Sequence, residues 1–412
     1  MAKNRKQIIF FCATTPYVMI YKIAKEFRKN GYETILITIS QYDKWDINDY
    51  KDGFDKIICS NFQIYKPNLK NSFNMLKRLP HLIMAIDKIG KLKPYLVFAI
   101  ARPNYITALA MKFFKKYPLI YFPYDILHHF YIESPNFLNI QTPDFELRAE
   151  RYCFENADGI MHKGGPGELD SLKQKTVLGD PVKTTPLKLC FLPYCSKEFI
   201  VSINKNKLSQ KDGEIHLVNV GGLLNDKRNL EIYRLLFTKL LSQRIHIHLY
   251  VKTQHLSKEE DKKNIRKGLR SFMGNKYFHI EYAFPPKKLI FEISKYNLGL
   301  WLEHYEKMNL KKSFSYPQLT TGNKISTFFE AGIPFIYTKN FVFVDRIMKK
   351  YGFNLGMDMD DFDTISKKIK KLNFKEIEKK MVRARKDFSV EKHFPRLEKF
   401  VKKVVARKKQ IY

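Results

Sequence analysis

The sequence predicts an α/β protein built from two doubly wound, Rossmann-like domains that face each other across a cleft. Short β-branched or aromatic runs alternate with helical patterns in both halves of the 412 residues, which is typical of βαβ units in parallel sheets. A polar stretch at 202–213 separates the two halves. Hydrophobic residues make up 44% of the chain, enough for each half to bury a core of its own.

The positions of the individual elements follow from hydrophobic periodicity. The apolar runs of the first half predict strands at 7–13, 34–39, 56–59, 96–100, 119–122, 159–162 and 188–192. Those of the second half predict strands at 215–220, 245–251, 278–281, 298–301 and 335–337. Apolar residues three and four apart predict helices at 18–29, 105–115 and 390–409, and Gly31 follows the first of them as a left-handed cap. We expect domains at 1–204 and 214–389 and a terminal helix at 390–412.

The net charge of +33 indicates an anionic partner. Residues 66–93 interleave apolar and basic side chains, which predicts a peripheral membrane contact, although a core-facing helix pair has the same pattern. No nucleic-acid-binding motif accompanies the charge, so we expect no nucleic acid partner. Five cysteines without zinc spacing indicate a reducing compartment, and no apolar stretch is long enough for a membrane span. The expected location is cytoplasmic, at the inner face of the membrane.

The first candidate loop follows the predicted strand 215–220. Gly221 and Gly222 come at its end, and Lys227 and Arg228 precede a predicted helix. Glycines let backbone N–H groups approach a phosphate closely, and a helix N-terminus adds positive potential. The same pattern also fits a plain strand–turn–helix with a solvated basic pair, so alone it leaves both interpretations open.

The second candidate loop is the turn at 320–324, which opens a short helix. Either Thr321 or Asn323 could cap this helix, and Gly322 and Lys324 complete the turn. The same hydroxyl and amide groups could hold a phosphate or a sugar. A third loop follows the strand 119–122, where Asp125 or His128 could act as a general base on an acceptor hydroxyl.

These segments together resemble the GT-B glycosyltransferases of the glycogen-synthase-like superfamily, which use nucleotide sugars. The turn 321–324 with 330–334 resembles the donor motif of that family, and Gly221, Leu223, Lys227 and Asn229 resemble its first donor loop. Residues 148–160 and 124–126 are similar to its last N-terminal helix and strand and its acceptor loop. The matches fall in order over roughly 10–390.

The resemblance implies a glycosyltransferase that moves a sugar from a nucleoside-diphosphate sugar to a lipid-linked or cell-envelope glycan. It implies an acceptor-binding first domain and a donor-binding second domain, with no metal and no cofactor. The implied donor residues are Gly221, Gly222, Lys227, Arg228, Thr321, Gly322, Asn323 and Lys324, with Ala283 and Phe284 at the nucleobase. The implied catalytic residues are Asp125, His128 and Glu330, with Thr14 and Thr15 on the acceptor side.

The sequence also departs from the family pattern. Gly222 stands where many members have an arginine, and Thr327 stands where the second of two glutamates is common. Two alternatives therefore stay open: a nucleotide-sugar epimerase of the same fold, and a sugar-nucleotide-binding protein without catalysis. Asp358 and Asp360 form the metal motif of another glycosyltransferase fold, but their place before the segment 362–372 favours a helix N-terminus.

Overall fold

A computed structural model of the chain places two parallel sheets, one in each half. The structure describes residues 5–13, 17–39, 51–59, 80, 83–84, 87, 91–101, 103–129, 144–170, 187–221, 227–251, 269–282, 284–301 and 316–411. The described chain divides into two compact units, the second of which begins at Pro193 and ends at Lys392. This architecture confirms the predicted α/β class with two doubly wound sheets.

The first unit is a seven-stranded parallel sheet with helices. Its strands are β1 (Gln7–Cys12), β2 (Glu33–Thr38), β3 (Lys56–Cys59), β4 (Leu96–Ile100), β5 (Leu119–Phe122), β6 (Gly159–His162) and β7 (Lys188–Cys190). Its helices include α1 (Val18–Lys29), α2 (Asn104–Phe114) and α3 (Asp144–Asn156). The strand order is β3-β2-β1-β4-β5-β6-β7, so the order reverses between β1 and β4.

Near-continuous apolar strands account for the core of the first unit. Strands of a parallel sheet covered on both faces are apolar throughout, and β4 is buried at all five positions. Phe10 of β1 stacks on Phe98 of β4 with ring centroids 5.0 Å apart, and Phe27 of α1 packs near both rings. Gly31 has a φ of 83° directly after α1, as the sequence predicts.

The second unit is a six-stranded parallel sheet. Its strands are β8 (Ile215–Val220), β9 (Ile245–Val251), β10 (Phe278–Tyr282), β11 (Leu298–Trp301), β12 (Phe335–Thr338) and β13 (Gly356–Met357), in the order β10-β9-β8-β11-β12-β13. Its helices include α4 (Ser209–Asp212), α5 (Lys227–Ser242), α6 (Pro286–Ile293), α7 (Tyr316–Leu319), α8 (Lys324–Ala331), α9 (Val342–Lys350), α10 (Ile365–Lys370) and α11 (Phe374–Asp387). A short 3₁₀ helix, Asp360–Asp363, precedes α10 where the sequence predicts helix from residue 362.

The second unit starts upstream of the polar stretch that marks the boundary in the sequence. Residues 195–201 belong to it because their backbone pairs with its elements. Cys195 donates its N–H to the Phe388 carbonyl at 3.0 Å, and Ser196 donates its N–H to the Glu330 carboxylate at 2.7 Å. The polar stretch itself contains α4 rather than a plain linker.

The last helix, α12 (Val390–Ile411), contributes its residues from His393 onward to the first unit. The Phe394 ring contacts Phe27 edge-on at 4.8 Å. The Tyr32 hydroxyl donates to Glu398 at 2.8 Å, and Lys408 forms an ion pair with Asp158 at 3.1 Å. Within the described residues, no helix is both long and apolar enough to cross a membrane.

Candidate functional site

The order of strands in the second sheet reverses between β8 and β11. In an open parallel sheet, ligands bind outside the carboxyl ends of the strands at such a switch point. β8 ends at Val220 and β11 ends at Trp301. The first candidate loop therefore begins at the position where the topology favours a binding site.

Gly221 begins this loop in a backbone conformation that favours glycine. Its φ is 95°, which is in the left-handed region. Its N–H donates to the Tyr250 carbonyl of β9 at 2.9 Å, which fixes the start of the loop to the sheet. A Cβ built on Gly221 would lie 3.6 Å from Cε of Lys324. The first loop therefore lies close to the lysine of the second loop.

The second loop approaches Trp301 at the end of β11. A Cβ on Gly322 would lie 3.1 Å from Cζ2 of Trp301, so glycine allows this close approach. Nζ of Lys324 lies 5.9 Å from the centroid of the Trp301 ring. Thr321 is buried, whereas Gly322 and Lys324 are half-buried. The structure thus gathers Gly221, Trp301, Gly322 and Lys324 at the switch point.

Helix α8 begins at this second loop, with Asn323 as its N-cap residue. The Asn323 side chain makes no capping hydrogen bond, and its buried Oδ1 has no partner among the described residues. The Asn323 carbonyl accepts from the Thr327 N–H at 3.0 Å and from the Ser326 hydroxyl at 2.9 Å. The positive end of this eight-residue helix lies beside Lys324, and both features favour an anion.

The structure describes the remaining donor-loop residues only in part. Gly222 and Ala283 lie outside the described residues. Lys227 and Arg228 are the first two residues of α5, but their side chains lie outside the described part of the structure. Their predicted contact with the diphosphate stays a prediction. Phe284 follows β10, is half-buried, and has the Lys288 ammonium 4.5 Å from its ring centroid.

In the first unit, Asp125 follows β5 and forms an ion pair. Nζ of Lys163, which follows β6, lies 2.7 Å from Oδ1 of Asp125. The same ammonium lies 3.9 Å from the centroid of the Tyr124 ring, and that ring stacks on Tyr17 at 3.5 Å. Burial, together with the Asp125 charge, raises the pKa of the Tyr124 phenol. Asp125 is therefore held by a buried lysine at the carboxyl end of the first sheet.

His128 is held by a buried carboxylate on α3. Nδ1 of His128 lies 2.5 Å from Oε2 of Glu150, which also accepts the His128 backbone N–H at 3.0 Å. Oε1 of Glu150 accepts the Leu127 N–H at 2.8 Å. Because a carboxylate accepts, the proton of the neutral imidazole belongs on Nδ1, and Nε2 carries the lone pair. Nε2 is buried and has no partner among the described residues.

Glu150 is the residue of this group that sequence reasoning did not assign a role. It lies on α3 between Leu147 and Phe154, at spacings of three and four, and is fully buried. A carboxylate on the apolar face of a helix is the signal that could have found it, because a buried charge needs partners. Thr14 and Thr15, predicted on the acceptor side, lie outside the described residues.

Glu330 is buried near the end of α8 and makes contacts within the second unit. Its Oε1 accepts the Ser196 N–H at 2.7 Å, and its carbonyl accepts the Val201 N–H at 3.1 Å. These bonds fasten residues 196–201 to α8. Holding this segment is the structural role of Glu330, and its catalytic role stays a prediction.

Among the described residues, the side-chain clusters that could hold a metal ion lie away from the two glycine-bearing loops. They comprise His216, His246 and His248, and Asp212, Glu214 and His246, at the amino ends of β8 and β9. Asp358 of the sequence's paired aspartates instead forms an ion pair with Lys339 at 2.5 Å.

Comparison with solved structures shows that the chain has the fold of GT-B glycosyltransferases. The sucrose-phosphate synthase of Thermosynechococcus elongatus is 13% identical, with a TM-score of 0.71, 98% of this chain covered and 100% of that chain. HepE of Anabaena, solved with UDP-glucose, is 13% identical with a TM-score of 0.62, covering 97% of this chain and 98% of that chain. MnaA of S. aureus, solved with UDP, is 9% identical with a TM-score of 0.58, and the match covers 98% of this chain and 97% of that chain.

The family comparison addresses the second half of the chain. Residues 242–405 match the model of the "Glucosyltransferase 3-like, C-terminal domain". No curated protein matches the sequence. Residues 242–405 are therefore similar to a glucosyltransferase domain, and the whole chain has a GT-B fold, which confirms the predicted resemblance and the predicted enzyme class, a glycosyltransferase.

Proposed function

We propose that this glycosyltransferase moves a sugar from a nucleoside-diphosphate sugar to a lipid-linked or cell-envelope glycan, without a catalytic metal ion. The observation that carries the proposal is the proximity of Gly221 to Lys324 at the switch point of the second sheet. Solved structures of the same fold contain UDP-glucose or UDP. This likeness supports a nucleotide sugar as the donor.

The donor diphosphate is assigned to the two glycine-bearing loops. The N-terminus of α8 and the Lys324 ammonium are assigned to the negative charge that develops as the diphosphate leaves, with the Gly222 backbone amide as a further predicted donor; the Gly221 N–H is bonded to Tyr250, so Gly221 acts by shaping the turn. Fixed positive groups aimed at a developing anion lower the barrier without reorganisation during the reaction. Lys227 and Arg228 add positive charge at the start of α5.

The Thr321 hydroxyl and the Asn323 amide are assigned to the diphosphate or the sugar, and Glu330 to the sugar. Phe284 and Ala283 are assigned to the nucleobase.

The acceptor hydroxyl is assigned to the first unit, near Thr14 and Thr15. His128 is the preferred proton acceptor because its Nε2 carries a lone pair that no described residue engages. Glu150 holds the other ring nitrogen and stabilises the imidazolium that forms after proton transfer. Asp125 is the second candidate base, although Lys163 neutralises its charge.

A transfer assay tests the proposal directly. The full chain is incubated with radiolabelled nucleotide sugars and a pooled lipid extract, and label in the lipid phase is counted. We expect transfer from at least one donor, with an unchanged rate in EDTA. Loss of transfer in EDTA that Mg²⁺ restores would contradict metal independence.

The same assay separates the two alternative functions. Conversion of the donor to an epimer without acceptor would identify an epimerase. Binding of a nucleotide sugar with no turnover, with every acceptor pool, would identify a binding protein. Absence of nucleotide binding would overturn the proposal altogether.

The acceptor class implies a location, and we extend the proposal to the inner face of the membrane. The net charge of +33 and the basic, apolar segment 66–93 support binding to anionic lipids. Most of that segment lies outside the described residues. We expect the chain to float with vesicles that contain phosphatidylglycerol and to remain unbound with neutral vesicles. Equal binding to both vesicle types, or to neither, would contradict this location.

A further inference from the structure

Four histidines occupy one face of the second sheet, near the amino ends of three adjacent strands. His216 of β8 is in register with His246 of β9, and His248 of β9 is in register with His279 of β10. The rings of His216 and His246 stack with centroids 4.2 Å apart, as do those of His248 and His279. The donor-loop function uses none of these side chains.

The histidines form two hydrogen-bonded chains, each beginning at a carboxylate. In one chain, Asp212 contacts Nε2 of His216 at 3.0 Å, and Nδ1 of His216 contacts Nε2 of His248 at 3.0 Å. In the other, Glu214 contacts Nε2 of His246 at 2.6 Å, and Nδ1 of His246 contacts Nε2 of His279 at 2.9 Å. Each carboxylate therefore holds one ring nitrogen of the first imidazole.

The carboxylates also fix where the protons lie. A carboxylate accepts, so Nε2 of His216 and of His246 carries the proton, and each Nδ1 presents a lone pair. Nδ1 of His216 therefore accepts the N–H at Nε2 of His248. Nδ1 of His248 is buried and has no partner among the described residues. Its proton can therefore move to Nδ1, which frees the Nε2 lone pair.

We propose that His216, His246 and His248 form a binding site for a divalent transition-metal ion such as Zn²⁺. One ring nitrogen from each of these residues lies within 4.8 Å of the other two. A tetrahedral zinc with bonds of about 2.0–2.1 Å separates its ligand atoms by roughly 3.4 Å. The three ring nitrogens must therefore draw together, and the stacked rings of His216 and His246 must turn toward the ion, to complete the site. The fourth position is left for water.

The surroundings match those of metal-binding histidines. Such histidines usually donate their second ring N–H to a carboxylate, as His216 does to Asp212 and His246 does to Glu214. Neutral imidazoles favour zinc, copper and nickel over magnesium or calcium. The Asp212 and Glu214 side chains are 41% and 32% exposed, so the carboxylate end of the cluster borders solvent.

The ion would join β8 to β9 rather than take part in sugar transfer. His216 precedes Gly221 by five residues along an extended strand, which corresponds to about 16 Å. The site thus lies toward the opposite end of the strand from the donor loops. It is independent of the proposed function and compatible with metal-independent transfer.

Calorimetric titration of the chelator-treated full chain with ZnCl₂ tests the site. We expect one equivalent to bind to the unmodified chain. His216→Gln should weaken the affinity by at least ~100-fold, because it removes a ligand, and Asp212→Asn by about 10–100-fold, because it removes the partner of that ligand. His393→Gln on α12 is the matched control and should bind zinc as the unmodified chain does. Unchanged affinity in His216→Gln would overturn the proposal.

X-ray absorption of the zinc-loaded unmodified chain keeps the test independent of how the variants fold. Three imidazole ligands at the zinc are expected. A spectrum with one imidazole or none, or no zinc binding at all, would contradict the site.

Discussion

The bond between Glu150 and His128 can be tested by Glu150→Gln, which keeps the shape of the side chain and removes its charge. Glu150 is fully buried and accepts the backbone N–H groups of Leu127 and His128, besides contacting Nδ1 of the His128 ring. A glutamine has one acceptor oxygen, so its NH₂ group must face at least one of these donors.

The size of the effect follows from these contacts. A hydrogen bond to a charged group contributes about 1.5–3 kcal/mol, and a buried donor left without a partner costs about 1–3 kcal/mol. We therefore expect Glu150→Gln to destabilise the first unit by about 3–5 kcal/mol. Since about 1.4 kcal/mol corresponds to a factor of ten, amide protection in that unit should fall by roughly 10²–10³-fold or more.

Hydrogen exchange followed by mass spectrometry is the appropriate assay, because it reports on β5 and α3 separately from the second unit. Glu155→Gln on the same helix is the matched control. Its carboxylate is 37% exposed and pairs with Arg151 at 2.7 Å, so the change should cost less than about 0.5 kcal/mol. If Glu150→Gln and Glu155→Gln changed protection equally, the structural role of Glu150 would be refuted.

Two further predictions concern Gly221 and His248 of the second unit, with Gly31 of the first unit as the control for Gly221. Gly221→Ala and Gly31→Ala both place a side chain at a positive φ, 95° and 83°, so each should cost about 1–2 kcal/mol in thermal or urea unfolding. UDP affinity, measured by calorimetry, should fall only in Gly221→Ala; equal losses would contradict the donor-loop assignment. The pKa of His248 is lowered to about 2 by burial, whereas the unfolded chain titrates near 6.5, so the unfolded state alone binds this proton as the pH falls below about 6.5. In urea unfolding in EDTA, this group should therefore lower the free energy of unfolding by about 1.6 kcal/mol in total between pH 6.5 and pH 5, and His248→Gln should remove that fall; the same pH dependence in both proteins would contradict it.

The sequence predicted most of the strands because their signal is local. β4, β5, β8 and β9 each have the predicted bounds, since an apolar run with a turn at either end is enough to define a buried strand. β13 was missed, because its two residues carry no periodicity. The unit boundary at Pro193 reflects contacts between residues far apart in the sequence, such as the bond between Ser196 and Glu330.

The candidate site divides in the same way. Motif spacing identified Gly221 and Lys324, but their proximity depends on the order of the strands in the sheet. The partnership of His128 with Glu150, and the histidine cluster, also depend on which distant residues the fold brings together. Alternate histidines at 246 and 248 on a predicted strand were a local signal that the spacing rules for zinc did not cover.

The central claim is that the Gly221 turn and the Lys324 loop together hold a pyrophosphate. Calorimetric titration of UDP and of uridine, with the unmodified chain and with Lys324→Met, tests it most directly. We expect UDP to bind much more tightly than uridine, and Lys324→Met to weaken UDP binding by about tenfold or more, in line with loss of a charge-assisted contact, while uridine binding is unchanged. Equal affinity for UDP and uridine, or no effect of Lys324→Met on UDP, would contradict the account.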